Sequence, residues 1–204
     1  MARIPAVLHE HINTAFPDNV TLVGTSLPDG SAVWLRLSTR TLAQPERTID
    51  PAEVIAGAHW VVKPADGALL ALAYQGPVAT EVMEAFETIA EDVPGAGLLA
   101  ITSPDRLHAG WLDATRARRK GERTARSHIE RILAPLAPGA ALVTVLDGHP
   151  ATHAWLGSVR GQRVVPLGVD HFGQAGDIPD LYREYGLDTD AILDACAQAL
   201  LINQ

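Results

Sequence analysis

The sequence predicts an α/β domain over residues 57–204, built as three layers. A five-stranded, mainly parallel sheet with one antiparallel edge strand lies between two layers of helices. Two observations predict this class. Short apolar runs alternate along the chain with stretches whose apolar residues recur at helical spacing. The central runs also lack the polar alternation of a strand that has one face in water, which is typical of parallel strands covered on both sides.

The first elements of this domain are two short strands and a helix. "HWVV" (His59–Val62) and "ALLALAY" (Ala68–Tyr74) flank "KPADG", whose Asp-Gly pair predicts a hairpin turn. "VATEVMEAFETIAED" follows with apolar residues at helical spacing. "GAGLLA" (Gly95–Ala100) has the letters of a dinucleotide-binding fingerprint, which requires a strand before its glycines and a helix after them. The order here is the reverse, so we interpret it as a helix-to-strand loop.

The second half of the domain continues the alternation. "GLLAITS" (Gly97–Ser103) predicts a buried strand, and a polar helical region runs from residue 104 to about 133. "ALVTVLD" (Ala141–Asp147) is the next strand, "PATHAWLGSVRG" a short helix, and "RVVPLGV" (Arg163–Val169) the last strand. Two helices close the chain, the first over about Ile178–Tyr185 and the second over Thr189–Leu201, with Asp188 or Thr189 as its cap.

Residues 1–56 show less regular patterning. One strand is predicted there, "AVWLRLS" (Ala32–Ser38), with apolar residues at alternate positions. A single strand cannot form a sheet, so we interpret this segment as the end of a larger unit that is joined by a linker to the domain at 57–204.

Composition and charge disfavour several classes of partner. Of the 204 residues, 47% are hydrophobic and 20% charged, as in ordinary globular proteins, and the net charge is −8. That charge disfavours nucleic acid and anionic membrane surfaces. No apolar run reaches the roughly 18 residues of a membrane span, and the first residues lack the apolar centre of a signal peptide, so we expect a cytoplasmic protein. Cys196, the only cysteine, is expected to be a buried thiol.

Few residues indicate a catalytic or binding role by themselves. His149 and His153 have the spacing of metal ligands on a helix, but Pro150 lies between them, so we interpret them as loop and helix-start residues. A basic run is interpreted as a solvated helix face, with an anion-binding or partner-docking surface as the alternative. Its members are Arg116, Arg118, Arg119, Lys120, Arg123 and Arg126.

Four stretches together resemble one enzyme superfamily. They are "LGVDHFGQAGD" and "YREYGLDTDAIL" near the end, "ITSPDRL" at Ile101–Leu107 and "LAQPER" at Leu42–Arg47. They resemble the C-terminal part of the transketolase superfamily of thiamine diphosphate enzymes, and most of all the homodimeric type of pyruvate dehydrogenase E1 and transketolase itself. The resemblance covers nearly everything from Ala32 onward.

The resemblance implies that cofactor binding and catalysis lie in different domains of the parent enzyme. Enzymes of this superfamily hold the diphosphate in an N-terminal domain and the catalytic glutamate in a middle domain. The Gly-Asp-Gly and Asn-Asn motif for the diphosphate is absent here. Residues 1–56 then correspond to the tail of the middle, pyrimidine-binding domain and residues 57–204 to the C-terminal domain. Thiamine diphosphate and magnesium are expected in the full-length parent, and none in this chain alone, which would be inactive and would serve dimer assembly and active-site support.

Three residues are candidates for substrate binding. Transketolases place a substrate-phosphate arginine at a strand end that corresponds to "LSTRTLAQ"; Thr39 occupies that position and Arg40 the next, which favours a smaller 2-oxo acid such as pyruvate. His149 and His171 follow two predicted strands, at the edge where open α/β sheets bind ligands. Phe172 is expected to insert under the next helix, and Asp177 to cap that helix.

Two expectations concern partners. The resemblance implies association with the rest of such an enzyme and a homodimer, and the strand at Ala32–Leu37, without sheet neighbours, would add an exposed edge for association. The alternative is an independent small-ligand-binding or regulatory module that uses the same α/β domain.

Overall fold

The computed structural model describes residues 20–27, 30–37, 40–42, 48–173 and 175–201, with the backbone alone for the first two ranges. The strands are β1 (Val20–Leu27), β2 (Gly30–Leu37), β3 (Ala58–Val62), β4 (Ala68–Gln75), β5 (Gly97–Ile101), β6 (Leu136–Leu146) and β7 (Arg163–Leu167). The helices are α1 (Pro51–Ala56), α2 (Ala79–Asp92), α3 (Pro104–Arg119), α4 (His128–Ile132), α5 (Ala151–Ala154), α6 (Gly157–Arg160), α7 (Ile178–Glu184) and α8 (Thr189–Leu201).

Strands β3 to β7 form one five-stranded sheet in the order β3-β5-β4-β6-β7. β4 is parallel to both β5 and β6, and β6 is parallel to β7. β3 lies at one edge and is antiparallel to β5. Helices cover both faces, so the predicted three-layer α/β class with one antiparallel edge strand is confirmed.

The two faces of the sheet have separate apolar cores. Side chains alternate between faces along β4, so that Leu72 and Tyr74 enter one core and Ala73 the other. The first core is covered by α2 and α8, and the second by α3 and α4. Cys196 lies in the first core with 2% of its surface exposed, as expected, and burial raises the pKa of its thiol to about 12.

The predicted hairpin between β3 and β4 is wrong, because β5 lies between these two strands. The connection crosses the start of β5: the N–H of Ala65 donates to the carbonyl of Gly95 at 3.0 Å. A Cβ on Gly97 would lie 2.8 Å from the ring of Trp60. The glycines of "GAGLLA" therefore make room for this crossing, and their interpretation as a helix-to-strand loop is confirmed.

The predicted polar helical region consists of two helices separated by a loop. α3 ends before Gly121, which adopts a φ of 102°. α4 then begins with a capping box, in which Ser127 and Glu130 each bond the other's backbone N–H. The segment between the helices carries Lys120, Arg123 and Arg126, so three of the six residues of the predicted basic helix face lie outside a helix.

The first strand pair corrects another expectation. β1 and β2 are antiparallel and paired over their whole length, from Val20 opposite Leu37 to Leu27 opposite Gly30. The strand predicted at Ala32–Ser38 therefore has a neighbour, and β1 was missed. The premise of an edge without sheet neighbours is wrong, since one side of β2 is hydrogen-bonded. No helix in the described parts of the chain is long and apolar enough to cross a bilayer.

Candidate functional site at the carboxyl ends of the strands

The parallel strands β4 to β7 end at one edge of the sheet, here called the carboxyl edge. Buried apolar strands give way there to polar residues, as in open α/β sheets that bind ligands at this edge. Gln75 ends β4, Ser103 follows β5, Asp147 follows β6 and Asp170 follows β7. The topology thus brings together residues that lie far apart in the sequence.

Arg40 is held at this edge by contacts with Glu81, Pro77 and Tyr182. Its guanidinium makes a bidentate ion pair with Glu81 on the first turn of α2, with N–O distances of 2.9 and 2.7 Å. It also donates to the carbonyl of Pro77 at 3.0 Å and lies over the ring of Tyr182, 5.5 Å from its centroid. The hydrogen bonds to Glu81 raise the pKa of Arg40 above its ordinary value. Arg40 therefore connects residues 40–42 to the start of α2.

Tyr182 adds a buried hydroxyl to the same edge. It lies on α7 with 9% of its surface exposed. Burial, followed by the negative charges of Asp147 and Glu81, raises the pKa of Tyr182 to about 12. The phenol is therefore protonated at neutral pH and can act as a hydrogen-bond donor.

The loops after β6 and β7 pack closely against each other. The N–H of Val169 donates to the carbonyl of Gly148 at 2.9 Å. A Cβ on Gly168 would lie only 2.4 Å from that carbonyl oxygen, so a glycine is required at this position. This packing brings the segment with His149 beside the segment with His171.

The two histidines on these loops are exposed, and each already makes a polar contact. His171 Nδ1 contacts the Asp170 carboxylate at 2.5 Å, and its ring packs on Tyr185 at a centroid distance of 4.8 Å. The hydrogen bond from His171, with a further contribution from the charge of His149, lowers the pKa of Asp170. His149 Nδ1 accepts from the N–H of Ala151 at 3.2 Å, as a residue at a helix start does.

A buried polar pair lies beneath these loops. His153 Nε2 contacts Gln75 Oε1 at 2.9 Å, and neither residue is exposed by more than 4%. Burial lowers the pKa of His153 to about 4, so the ring is neutral at neutral pH. No spacing rule in the sequence connects these two residues, and the available signal is a glutamine that ends an otherwise apolar strand.

The predicted candidates fall into separate places. Arg40 lies against Glu81, while His149 and His171 lie on the adjoining loops. His149 points to solvent and His153 is buried, so the two do not form a metal pair. Within the described ranges, no three side chains of His, Cys, Asp or Glu come together as metal ligands.

The loop after β7 departs from its prediction in two ways. Phe172 was expected to insert under α7, but its side chain is fully exposed, because the loop carries it outward before the helix begins. Asp177 does occupy the N-cap position of α7, but its side chain makes no capping hydrogen bond. The capping prediction for α8 is confirmed, since Asp188 accepts from the N–H of Ala191 at 3.1 Å.

The ion pair of Arg40 gives a direct prediction. Arg40→Ala leaves the Glu81 carboxylate, whose side chain is only 15% exposed, without its guanidinium. We expect the free energy of unfolding to fall by about 2 kcal/mol, measured by urea denaturation. Arg183→Ala is the matched control, because it breaks an exposed ion pair with Asp180 and should cost less than about 0.5 kcal/mol. Equal losses would show that the Arg40 pair adds nothing beyond a surface contact.

The fold is similar to that of solved transketolases. A split-gene transketolase, described as an "inactive beta4 tetramer", matches over 83% of this chain and 49% of its own, with a TM-score of 0.52 and 15% identity. The transketolase from Leishmania mexicana matches over 76% of this chain and 20% of its own, with a TM-score of 0.53 and 15% identity. A mutant transketolase from Pichia stipitis matches over 81% and 21%, with the same TM-score and identity.

These similarities show a transketolase-like α/β fold, as the sequence resemblance implied. This chain spans about half of the split-gene chain and about a fifth of the other two. No protein-family model matches the sequence, and a search of curated proteins found no match.

Proposed function

We propose that this chain is the C-terminal portion of a thiamine-diphosphate-dependent enzyme of the transketolase and pyruvate dehydrogenase E1 kind. In this role it supports assembly and the active site and is inactive alone. The observation that carries the proposal is the transketolase-like fold, matched over 83% of the chain. The sequence motifs near the carboxyl edge, "ITSPDRL" and "LGVDHFGQAGD", add support from a separate source.

The described residues do not fit the magnesium ion that accompanies the diphosphate. Magnesium in such sites needs carboxylate or other oxygen ligands held close together, and the described ranges contain no such cluster of three. We therefore assign thiamine diphosphate and magnesium to the rest of the parent enzyme, and we derive no catalytic step through them for this chain.

The position of Arg40 supports a small substrate. Its guanidinium already forms an ion pair with Glu81 and donates to the carbonyl of Pro77, so these donors are not available to bind a sugar phosphate. This favours a 2-oxo acid such as pyruvate over the phosphorylated sugars of transketolase. His149 and His171 remain the candidates for contact with such a substrate, because both lie exposed on the loops of the carboxyl edge.

A partner chain is part of the proposal. One matched structure is a split-gene transketolase described as an inactive tetramer, and this chain spans about half of the matched chain. Phe172 is a large apolar side chain fully exposed at the carboxyl edge, where a partner would cover it. We propose that the chain associates with the remaining domains of the enzyme and that the assembly is a homodimer of such units.

The alternative function is an independent module that binds a small ligand at the carboxyl edge. The polar groups gathered there, Tyr182 and Asp147 among them, favour this second candidate. It requires no partner polypeptide.

The genomic sequence upstream of this reading frame discriminates between the two. We expect a frame, either continuous or directly adjacent, that encodes a Gly-Asp-Gly motif followed by Asn-Asn. Its product should co-elute with this chain in size-exclusion chromatography after co-expression. An unrelated upstream gene together with a chain that elutes alone would support the independent module instead.

A further inference from the structure

A cleft rich in arginine lies away from the carboxyl edge. It has a volume of about 450 Å³, and we call it the arginine cleft. It is lined by Arg118, Arg123, Arg126, Glu130, Val159 and Arg160.

Three segments of the chain build the arginine cleft. Arg118 lies on the last turn of α3, and Arg160 is the last residue of α6. Arg123 and Arg126 come from the loop between α3 and α4. These segments lead into β6 and β7, so the cleft lies toward the amino ends of the parallel strands, opposite the carboxyl edge.

The inner wall of the cleft is fixed by hydrogen bonds. Arg118 pairs with Glu130 at 2.9 Å and donates to the carbonyl of Ala125 at 2.9 Å. Glu130 also accepts from the N–H and the hydroxyl of Ser127, each at 2.7 Å. Arg126 donates to the carbonyl of Ala125 at 2.9 Å. The loop is therefore held in place before any ligand arrives.

A stacked aromatic pair holds the two helical walls together. Trp111 and Trp155 stack with a centroid distance of 5.6 Å. Trp111 lies on the same face of α3 as Arg118, seven residues and about 10 Å earlier, and Trp155 precedes Val159 by one turn. The pair thus joins α3 to the segment of α5 and α6 near the cleft.

The charges of the cleft do not balance. Glu130 compensates Arg118, which leaves the positive charges of Arg123, Arg126 and Arg160 in a protein whose net charge is −8. Neither Arg123 nor Arg160 makes an ion pair within the described parts of the chain. The attraction of cations to helix C-termini accounts for Arg118 and Arg160. It does not account for the two loop arginines that face them.

We propose that the arginine cleft binds a ligand with two or more adjacent phosphate groups. Guanidinium groups bind phosphate oxygens in pairs, and three uncompensated arginines match the charge of a di- or triphosphate. The volume of about 450 Å³ lies in the range of small-molecule sites. A long nucleic acid would meet repulsion from the acidic remainder of the protein. The source is either inorganic polyphosphate or the phosphate tail of a nucleotide.

Titration calorimetry at low salt tests this proposal on the full chain. We expect saturable binding of inorganic tripolyphosphate, one per chain, with inorganic monophosphate at least tenfold weaker. The double variant Arg123→Gln, Arg160→Gln should weaken tripolyphosphate binding at least tenfold. Its fold is checked by circular dichroism; both side chains are exposed, so it should fold like the parent. A parallel titration with ATP distinguishes the sources, since tighter binding of ATP than of tripolyphosphate would identify a nucleotide.

Arg116→Gln is the matched control. Arg116 lies on α3, pairs with Asp113 at 3.0 Å and does not line the cleft, so this variant should bind tripolyphosphate as the parent does. The absence of saturable binding to the parent would overturn the proposal. Unchanged affinity in the double variant, or an equal loss in the control, would overturn it as well.

Discussion

Gly57→Ala is expected to lower the free energy of unfolding by about 2 to 5 kcal/mol. Gly57 ends α1 with a φ of 113°, a conformation that L side chains oppose by about 1 to 2 kcal/mol. The new Cβ would also lie 2.7 Å from the carbonyl oxygen of Ser103 and 2.9 Å from Leu107 Cγ, and such overpacking costs about 1 to 3 kcal/mol more. The carbonyl of Gly57 accepts from the N–H groups of Thr102 and Ser103, so a displaced backbone would disturb the end of β5.

Gly67→Ala provides the control for this prediction. Gly67 has a positive φ of 80°, but a Cβ there would meet no atom within 4 Å. It should therefore show the conformational cost alone, about 1 to 2 kcal/mol. Urea denaturation of both variants measures the difference. Equal losses at the two sites would contradict the close contact between Gly57 and Ser103.

His153 is expected to make the stability of the protein depend on pH. Its pKa is about 4 in the folded protein, against an ordinary value of 6.5. The unfolded chain therefore binds the proton first, and the stabilisation is fully present above about pH 6.5 and lost as the pH falls toward 4. The shift corresponds to about 3 kcal/mol over that window. Denaturation curves at pH 7, 5.5 and 4 measure this loss.

Two variants isolate this contribution from that of the carboxylates. His153→Gln removes the titrating ring. Between pH 7 and pH 4, the free energy of unfolding of this variant should therefore fall by about 3 kcal/mol less than that of the parent protein. His149→Gln makes the same substitution at an exposed histidine four residues earlier and is the matched control. A parental slope in His153→Gln would show that the buried ring does not govern the acid sensitivity.

The sheet was predictable because its strands are apolar runs that need cover on both faces. "GLLAITS" and "ALVTVLD" contain too few polar residues for a strand exposed to water, and they are β5 and the end of β6. The order of the strands in the sheet was harder to predict. The local Asp-Gly signal favoured a hairpin, whereas the true neighbour of β3 is β5, some 35 residues further on. The small residues Ala65, Gly95 and Gly97 allow this crossing, but nothing local in the sequence joins them.

The candidate site was harder to predict from the sequence for the same reason. Arg40 was selected from the resemblance, but its partner Glu81 lies 41 residues away and no spacing rule connects the two. The basic run read as one helix face, yet the chain breaks the helix at Gly121 and brings Arg160 across from α6. Phe172 was expected from the resemblance to insert under α7, but the loop after β7 leaves its side chain fully exposed, and no local pattern in the sequence marks this course of the loop.

The central claim is that this chain is a supporting portion of a thiamine diphosphate enzyme and does not hold the cofactor itself. Calorimetric titration with thiamine diphosphate and magnesium chloride tests it most directly. The isolated chain carries the double variant Arg123→Gln, Arg160→Gln in this test, so that the arginine cleft does not bind the diphosphate. We predict no saturable binding at micromolar concentration for the chain alone, and binding once the product of the upstream frame is added. Saturable micromolar binding by the 204-residue chain alone would contradict the account.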